Sequence, residues 1–279
     1  MYRTDRIYVT ENHELYAYLD DFAHKAKCLH NAALFRVRNA FTAHNKTALT
    51  ANEKEVQGEL ALLKGQKSYY VLGKGVVEHV FRITNNPDFF SGLPMQTAQH
   101  VIRQVCTDFK GWLASLKKYR KDPSGYTGKP KMPGYYRNDT ASYLFTNQDA
   151  VIYDGKLKLP RTKIRIPARR RHGRLMEVNV KPVSGGYELL LVYQVKAASV
   201  QSGKHAAAVD FGVDNTMAAV SDTGKSILFK GRFIKSVNQY FMKKKAERIS
   251  LMSKGKETTE RVWSKYLDRL SAYRTSYIR

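Results

Sequence analysis

The residues with the clearest chemical potential are Val209-Asp210-Phe211-Gly212-Val213, where one carboxylate sits between apolar neighbours just ahead of a small-residue turn. A strand that ends Val-Asp, turns, and continues as a second apolar strand projects a single carboxylate from a buried strand end. Phosphodiester hydrolysis by two Mg²⁺ ions needs hard oxygen ligands of this kind, one of them bridging the metals. The plainer reading of Asp210 is a turn aspartate that closes a strand, and these five residues alone leave both open.

A second set of residues is basic. Arg161, Lys163, Arg165, Arg169, Arg170, Arg171 and Arg174 crowd one predicted β segment. Cations at that density repel one another unless a polyanion is present, so phosphate contacts are expected. Lys129 and Lys131 precede Tyr135 and Tyr136, an arrangement suited to stacking on a base or sugar and equally to a core. Arg232, Lys243, Lys244 and Lys245 supply further cations on a predicted helix. Taken singly, each of these residues reads as solvated surface.

The whole chain does not read that way. Its 279 residues hold 48 Lys+Arg against 24 Asp+Glu, a net charge of +24. Three blocks carry slightly more than the whole surplus, the rest of the chain being marginally acidic. Residues 110–140 carry eight cations and two acids (+6), 155–182 ten and one (+9), and 225–279 fifteen and four (+11). With 43% hydrophobic and 11% aromatic residues the chain can bury a core, which excludes a charged disordered tail. No apolar run reaches the ~18 residues of a membrane span. The first residues lack a signal-peptide core. Cys28 and Cys106 are too few for a disulfide framework or a cysteine-based zinc site, and the eight His are scattered, so none is assigned to a metal. A cytoplasmic nucleic-acid binder is the expected class.

Periodicity gives the elements that must position these groups. Residues 1–10 alternate like a short strand. Leu15, Leu19, Phe22, Ala26, Leu29, Ala33 and Val37 make one apolar stripe on a long helix over 13–42. Shorter helical pieces span 50–92, and a second strong helix follows Pro94 with Ala98, Ile102, Val105, Phe109, Leu113 and Leu116 on one face. It decays into a Gly/Pro-rich loop, Gly125 to Gly134, which reads as a boundary. From 141 to 200 the period becomes two, with turns at Asp154-Gly155 and Ser184-Gly185-Gly186, suggesting a small barrel or sandwich. Ala206–Phe211 reads as a buried strand, two more strands follow, and everything after Ile234 reads as helix.

Ala207-Ala208-Val209-Asp210-Phe211-Gly212-Val213-Asp214-Asn215 resembles the first RuvC motif of the insertion-sequence-associated TnpB (OrfB) proteins. These are transposon-encoded, RNA-guided DNA nucleases similar to compact type V CRISPR effectors. Further stretches resemble the family in its own order: Asn31–Arg38, Leu93–Gln99 with Phe109-Lys110, Gly128–Tyr135, Leu144–Gln148 and Gly231–Phe241. The resemblance implies an α+β chain. A helical recognition domain (11–140) would be inserted in a small β-barrel wedge domain (1–10 plus 141–200). The N-terminal part of an RNase H-like (RuvC) domain with bridging helices (203–279) would follow.

It also implies partners and roles. These are a guide RNA, a double-stranded DNA target, no membrane, Mg²⁺ as cofactor, and a prokaryotic-type cytoplasmic, nucleoid-associated setting. Asp210 would be the first RuvC carboxylate and a Mg²⁺ ligand. Gln99, Thr146 and Asn147 would read a short DNA motif flanking the target; Gln and Asn amides pair bidentately with adenine. The family completes its site with a Glu on a later strand, Cys-x-x-Cys zinc knuckles and a final Asp. This sequence ends at Arg279, 69 residues after Asp210, with no Cys beyond Cys106. Glu247, Glu257 and Glu260 read as solvated helix faces. The expectation is therefore a version truncated after the bridging helices, without the zinc site. It would bind nucleic acid but not cleave alone, and its sheet would have an uncovered edge and apolar surface. The alternatives are an endonuclease completed by a missing or separate C-terminal RuvC fragment, and a nuclease-dead RNA-guided repressor.

Overall fold

A computed structural model describes residues 1–63, 71–168, 173–196, 203–212, 214–255 and 264–278. Two compact units emerge, Met1–Pro182 with Gly186–Lys196, and Val183–Gly185 with Ala197–Arg279.

In the first unit β1 (Tyr2–Thr10) leads to α1 (Tyr16–Ala43), α2 (Ala51–Ala61), α3 (Lys74–Ile83) and α4 (Met95–Lys121). All seven residues of the expected α1 stripe are buried, as are Ala98, Ile102, Val105, Phe109 and Leu116 of α4. The start of α2 is fixed by a reciprocal cap: the Glu53 amide donates to Thr50 Oγ1 and the Thr50 amide to Glu53 Oε2 (3.3 and 2.9 Å). Lys46 closes this buried carboxylate with an ion pair. Arg36 reaches from α1 to Glu59 of α2 at 2.6 Å and lies over the Phe81 ring of α3. A buried cation is thus matched by a carboxylate and a π face.

The strands that follow are β2 (Tyr143–Thr146), β3 (Val151–Tyr153), β4 (Lys156–Lys158), β5 (Arg165–Pro167), β6 (Arg174–Val183) and β7 (Gly186–Gln194). They divide between two antiparallel sheets, ordered β1-β7-β6-β2 and β3-β4-β5. The expected barrel is not formed: among the described residues β1 and β2 are edges of the larger sheet, and no strand joins them. Strands β2 to β5 are only three or four residues long, too short for the tilt and stagger that closure demands. Both expected turns are present. Asp154 and Gly155 take φ of +47° and +65°, and Gly185 and Gly186 take +81° and +155°. Gly186 is obligatory, because a Cβ there would lie 2.0 Å from the Val9 carbonyl oxygen of β1.

The helices and the larger sheet share one hydrophobic core. Phe22 of α1 meets Tyr143 and Phe145 of β2, with ring centroids 6.2 and 5.9 Å away. Further along α1, Phe41 packs edge-on against Phe109 and Trp112 of α4. The Gly/Pro-rich loop is no break in this unit. It returns from α4 as a strap along α1, held by Trp112 Nε1 to the Pro130 carbonyl, Arg38 to the Pro133 carbonyl, Asn31 to Tyr136, and the Ala141 amide to the Ala23 carbonyl.

The second unit contains β8 (Ala207–Asp210), β9 (Asn215–Ser221), β10 (Ser226–Lys230), α5 (Arg232–Ser253) and α6 (Lys265–Ile278). Its antiparallel sheet has the order β10-β9-β8. Asp222, in the turn after β9, accepts from the Ala206 amide and so pins the start of β8. Helices α5 and α6 meet through Arg274, which donates from Nε to Asn238 Oδ1 and lies over the Phe241 ring, and Leu267 and Leu270 of α6 are buried. Strand β8 is not buried as its composition suggests. It is exposed along its length, with Val209 at 48% and Phe211 beyond it at 76%. Its main neighbour is β9, and a strand paired along one edge keeps both faces open unless another layer covers them.

Candidate nucleic-acid interface

Asp210 ends β8, opposite Ala218 of β9, and is exposed. Among the described residues its carboxylate has no hydrogen-bond or ion-pair partner. The other carboxylate of the motif, Asp214, is ion-paired to Lys235 in the first turn of α5. The Asp214 carbonyl also accepts from the Gly231 amide (3.0 Å), and Gly212 N–H donates to the Asn215 carbonyl (3.1 Å). Gly231 is buried here, because a Cβ would meet Thr216 Oγ1 at 2.6 Å. These contacts hold the β8–β9 connection against the start of α5 and border a hollow of about 410 Å³. Asp210 is thus the uncommitted acid of the motif.

An exposed carboxylate is the hard donor Mg²⁺ favours, but a metal pair takes several such groups. Among the described residues no three His, Cys, Asp or Glu are grouped to hold a metal. Asp210 by itself does not fit a metal pair. Glu247 lies exposed on α5, paired with Lys244 at 2.9 Å. Glu257 and Glu260 lie outside the described residues.

The DNA-reading residues expected at the α4–β2 junction are positioned by one clear tie, Thr97 Oγ1 donating to the Leu144 carbonyl at 2.9 Å. Gln99 is half-buried and already engaged. Its Nε2 donates to Glu78 Oε1 (3.0 Å) and its Oε1 accepts from Lys74 Nζ (3.5 Å), both on α3. Thr146 and Asn147 are half-buried at the end of β2, where the Thr146 hydroxyl bonds Asp149 and the Asn147 amide donates to the Met176 carbonyl. Glu78 is held below the usual carboxylate range by hydrogen bonds from Arg82 and Gln99, which outweigh the larger single effect of its partial burial.

The cations are surface-facing but not equivalent. Lys129, Lys131, Lys163, Arg174, Arg232 and Lys243 are exposed. Arg161 takes φ +57° and reaches the Gly92 carbonyl, while Arg165 turns back onto the carbonyls of Thr162 and Ile164. Lys244 is committed to Glu247, and Lys245 lies over the Phe241 ring. Arg169, Arg170 and Arg171 fall outside the described residues. The two tyrosines are half-solvated and partnered: Arg38 stacks on Tyr135, and Tyr136 lies 4.2 Å, centroid to centroid, from His30. Sequence reasoning missed Lys74, Glu78, Asn31 and Arg38, which orient these groups. The one-turn spacing of Lys74 and Glu78 on a helix was the available signal.

The family whose model is described as a probable transposase, OrfB of IS605, matches residues 189–279, from β7 to the end. Over this third of the sequence the chain is similar to that family, and the match includes the Ala207–Asn215 and Gly231–Phe241 stretches. No curated protein matches the chain. Among solved structures, a Cas12f1–sgRNA–target DNA complex is 14% identical with a TM-score of 0.30. It covers 99% of this chain and 66% of that one. A CRISPR–Cas12f ternary complex is 11% identical with a TM-score of 0.26, covering 94% and 57%. The chain therefore spans less than two thirds of the length of either protein.

Proposed function

We propose that this chain is a transposon-associated, RNA-guided DNA-binding protein, working in the cytoplasm at the nucleoid, whose family reaction is Mg²⁺-dependent DNA cleavage. The observation that carries this is the family match over residues 189–279, which includes Asp210 at the solvent-facing end of β8. The surplus of +24 supports a polyanion as partner. Target sequence would be read by a guide RNA. Gln99, Thr146 and Asn147 would read the short flanking DNA motif, and the exposed cations would bind backbone phosphates.

In this reading Asp210 is a metal ligand in waiting. Mg²⁺, when bound, would activate water and stabilise charge on the scissile phosphate. The chain's own contribution is to present one carboxylate and to clamp the nucleic acid. One carboxylate cannot hold two cations, so the 279 residues would bind without cutting. A second reading, an endonuclease completed by a separate RuvC fragment, is favoured by the open apolar surface of β8, β9 and β10, where Val220, Ile227, Leu228 and Phe229 are exposed.

The test is to purify the chain with its flanking transcript and add matched and mismatched target DNA in Mg²⁺. Guide-dependent retention of matched DNA without cleavage is expected, unchanged by Asp210→Ala. Cleavage that Asp210→Ala abolishes would overturn the binding-only reading. Retention indifferent to the guide would overturn RNA guidance.

A further inference from the structure

One pair of groups is used by neither the nucleic-acid reading nor the core. His24 and Cys28 stand one turn apart on α1, and Cys28 Sγ lies 3.6 Å from His24 Nε2. The other ring nitrogen, Nδ1, is 3.0 Å from the carbonyl oxygen of Asp139 in the strap. A carbonyl can only accept, so Nδ1 carries the proton and Nε2 turns its lone pair toward the sulfur. His24 is exposed and Cys28 half-buried, so the pair opens to solvent on one side.

We propose that His24 and Cys28 form a two-ligand clip for a borderline-soft divalent cation of the Zn²⁺ kind. Zinc binds thiolate at about 2.3 Å and imidazole at about 2.0–2.1 Å in tetrahedral geometry, which sets the two ligand atoms about 3.6 Å apart. The separation in the apo pair is already that distance. The Asp139 carbonyl supplies the outer hydrogen bond that orients a ligating imidazole. On binding, the Cys28 S–H bond breaks and its proton leaves to solvent as the sulfur–metal bond forms. Water fills the two remaining positions. Thiolate with imidazole selects Zn²⁺ or Cd²⁺ over Mg²⁺. The cation would also tie α1 to the strap, because the ring that binds it is the ring that Asp139 holds.

The second cysteine is an internal control. Cys106 is buried on α4, and burial pushes its thiol up to about 11.

The experiment uses the full purified chain. Zn²⁺ is titrated against a chromophoric chelator, and Cd²⁺ is followed by its thiolate charge-transfer absorbance. One cation per chain is expected. His24→Ala and Cys28→Ser should each weaken binding by at least about tenfold, while Cys106→Ser should not. A second readout needs no variant: Zn²⁺ should slow iodoacetamide alkylation of Cys28, read by peptide mass, and Mg²⁺ should not. If Zn²⁺ leaves that alkylation rate unchanged, or if His24→Ala binds as the parent does, the pair is a thiol–imidazole hydrogen bond only and the proposal falls.

Discussion

Asn31 grips Tyr136 by both ends of one amide. Its Nδ2 donates to the Tyr136 carbonyl at 3.0 Å, and its Oδ1 accepts from the Tyr136 N–H at 2.9 Å. A side chain thereby takes the place of a neighbouring strand and satisfies both backbone groups of a residue 105 positions away. The strap from α4 to β2 is registered on α1 at this point.

Asn31→Ala removes both bonds where water can replace them. The expected cost is about 1 kcal/mol in urea unfolding, small because the site is exposed. The clearer effect is local, with faster tryptic cleavage at Lys131 and Arg137. Unchanged cleavage would show that the strap is held elsewhere.

The Arg36–Glu59 pair behaves differently because it is buried. Glu59→Ala strands a guanidinium among apolar groups and should cost about 3–5 kcal/mol. The paired change Arg36→Met with Glu59→Leu should cost clearly less. Equal losses in denaturant unfolding would contradict this.

The cap of α2 sets an acid limit. The Glu53 carboxyl is held down to about 2, from an ordinary 4.5, by its bond from Lys46 and then by the Thr50 amide. A depressed carboxylate stabilises the fold above its unfolded value, and that stability is lost as pH falls through the folded one. Protection factors of α2 amides, corrected for intrinsic exchange, should therefore fall as pH drops from about 4.5 to about 2. Glu53→Gln should exchange faster at neutral pH and lose that pH dependence.

Among the described residues Lys163 has no hydrogen-bond or ion-pair partner, whereas Arg161 and Arg165 reach back to protein carbonyls. If Lys163 meets a phosphate, Lys163→Ala lowers the slope of log K against log salt by about 0.7–0.9. Filter binding across a salt series reads this directly, and an unchanged slope removes Lys163 from the interface.

Gly186→Ala places a methyl against the Val9 carbonyl. The loss should reach or exceed the about 1–3 kcal/mol usual for overpacking, since the obstacle is backbone. Loss of soluble, cooperatively melting protein is expected, while Gly155→Ala, with open space at its Cβ, should cost less.

Much of the first unit was legible because burial and periodicity agree there. The α1 and α4 stripes repeat every three or four residues and meet a real core, and the Asp154-Gly155 and Gly185-Gly186 turns announce themselves by residue type. What failed is non-local. An apolar run such as Ala206–Phe211 has the composition of a covered strand, but cover depends on which other element lies across it. The barrel failed on strand length, which turn signals do not fix. The strap failed because Gly and Pro mark irregular backbone, and irregular backbone can cross a helix as readily as separate two domains. At the candidate site Asp210 was legible as a motif residue. The hold of Lys74 and Glu78 on Gln99 was not, since it joins two helices through side-chain reach. His24 and Cys28 are invisible in the chain-wide scatter of His, and their signal is the one-turn spacing on α1.

The shared core has a practical consequence for chimaeras. A graft cut at residue 140 would divide Phe22 from Tyr143 and Phe145, and the Thr97 hydroxyl from the Leu144 carbonyl. Helices exchanged between relatives must therefore travel with β2. A smaller transplant would move Gln99 and leave behind Thr146, Asn147 and the strand that Thr97 is tied to.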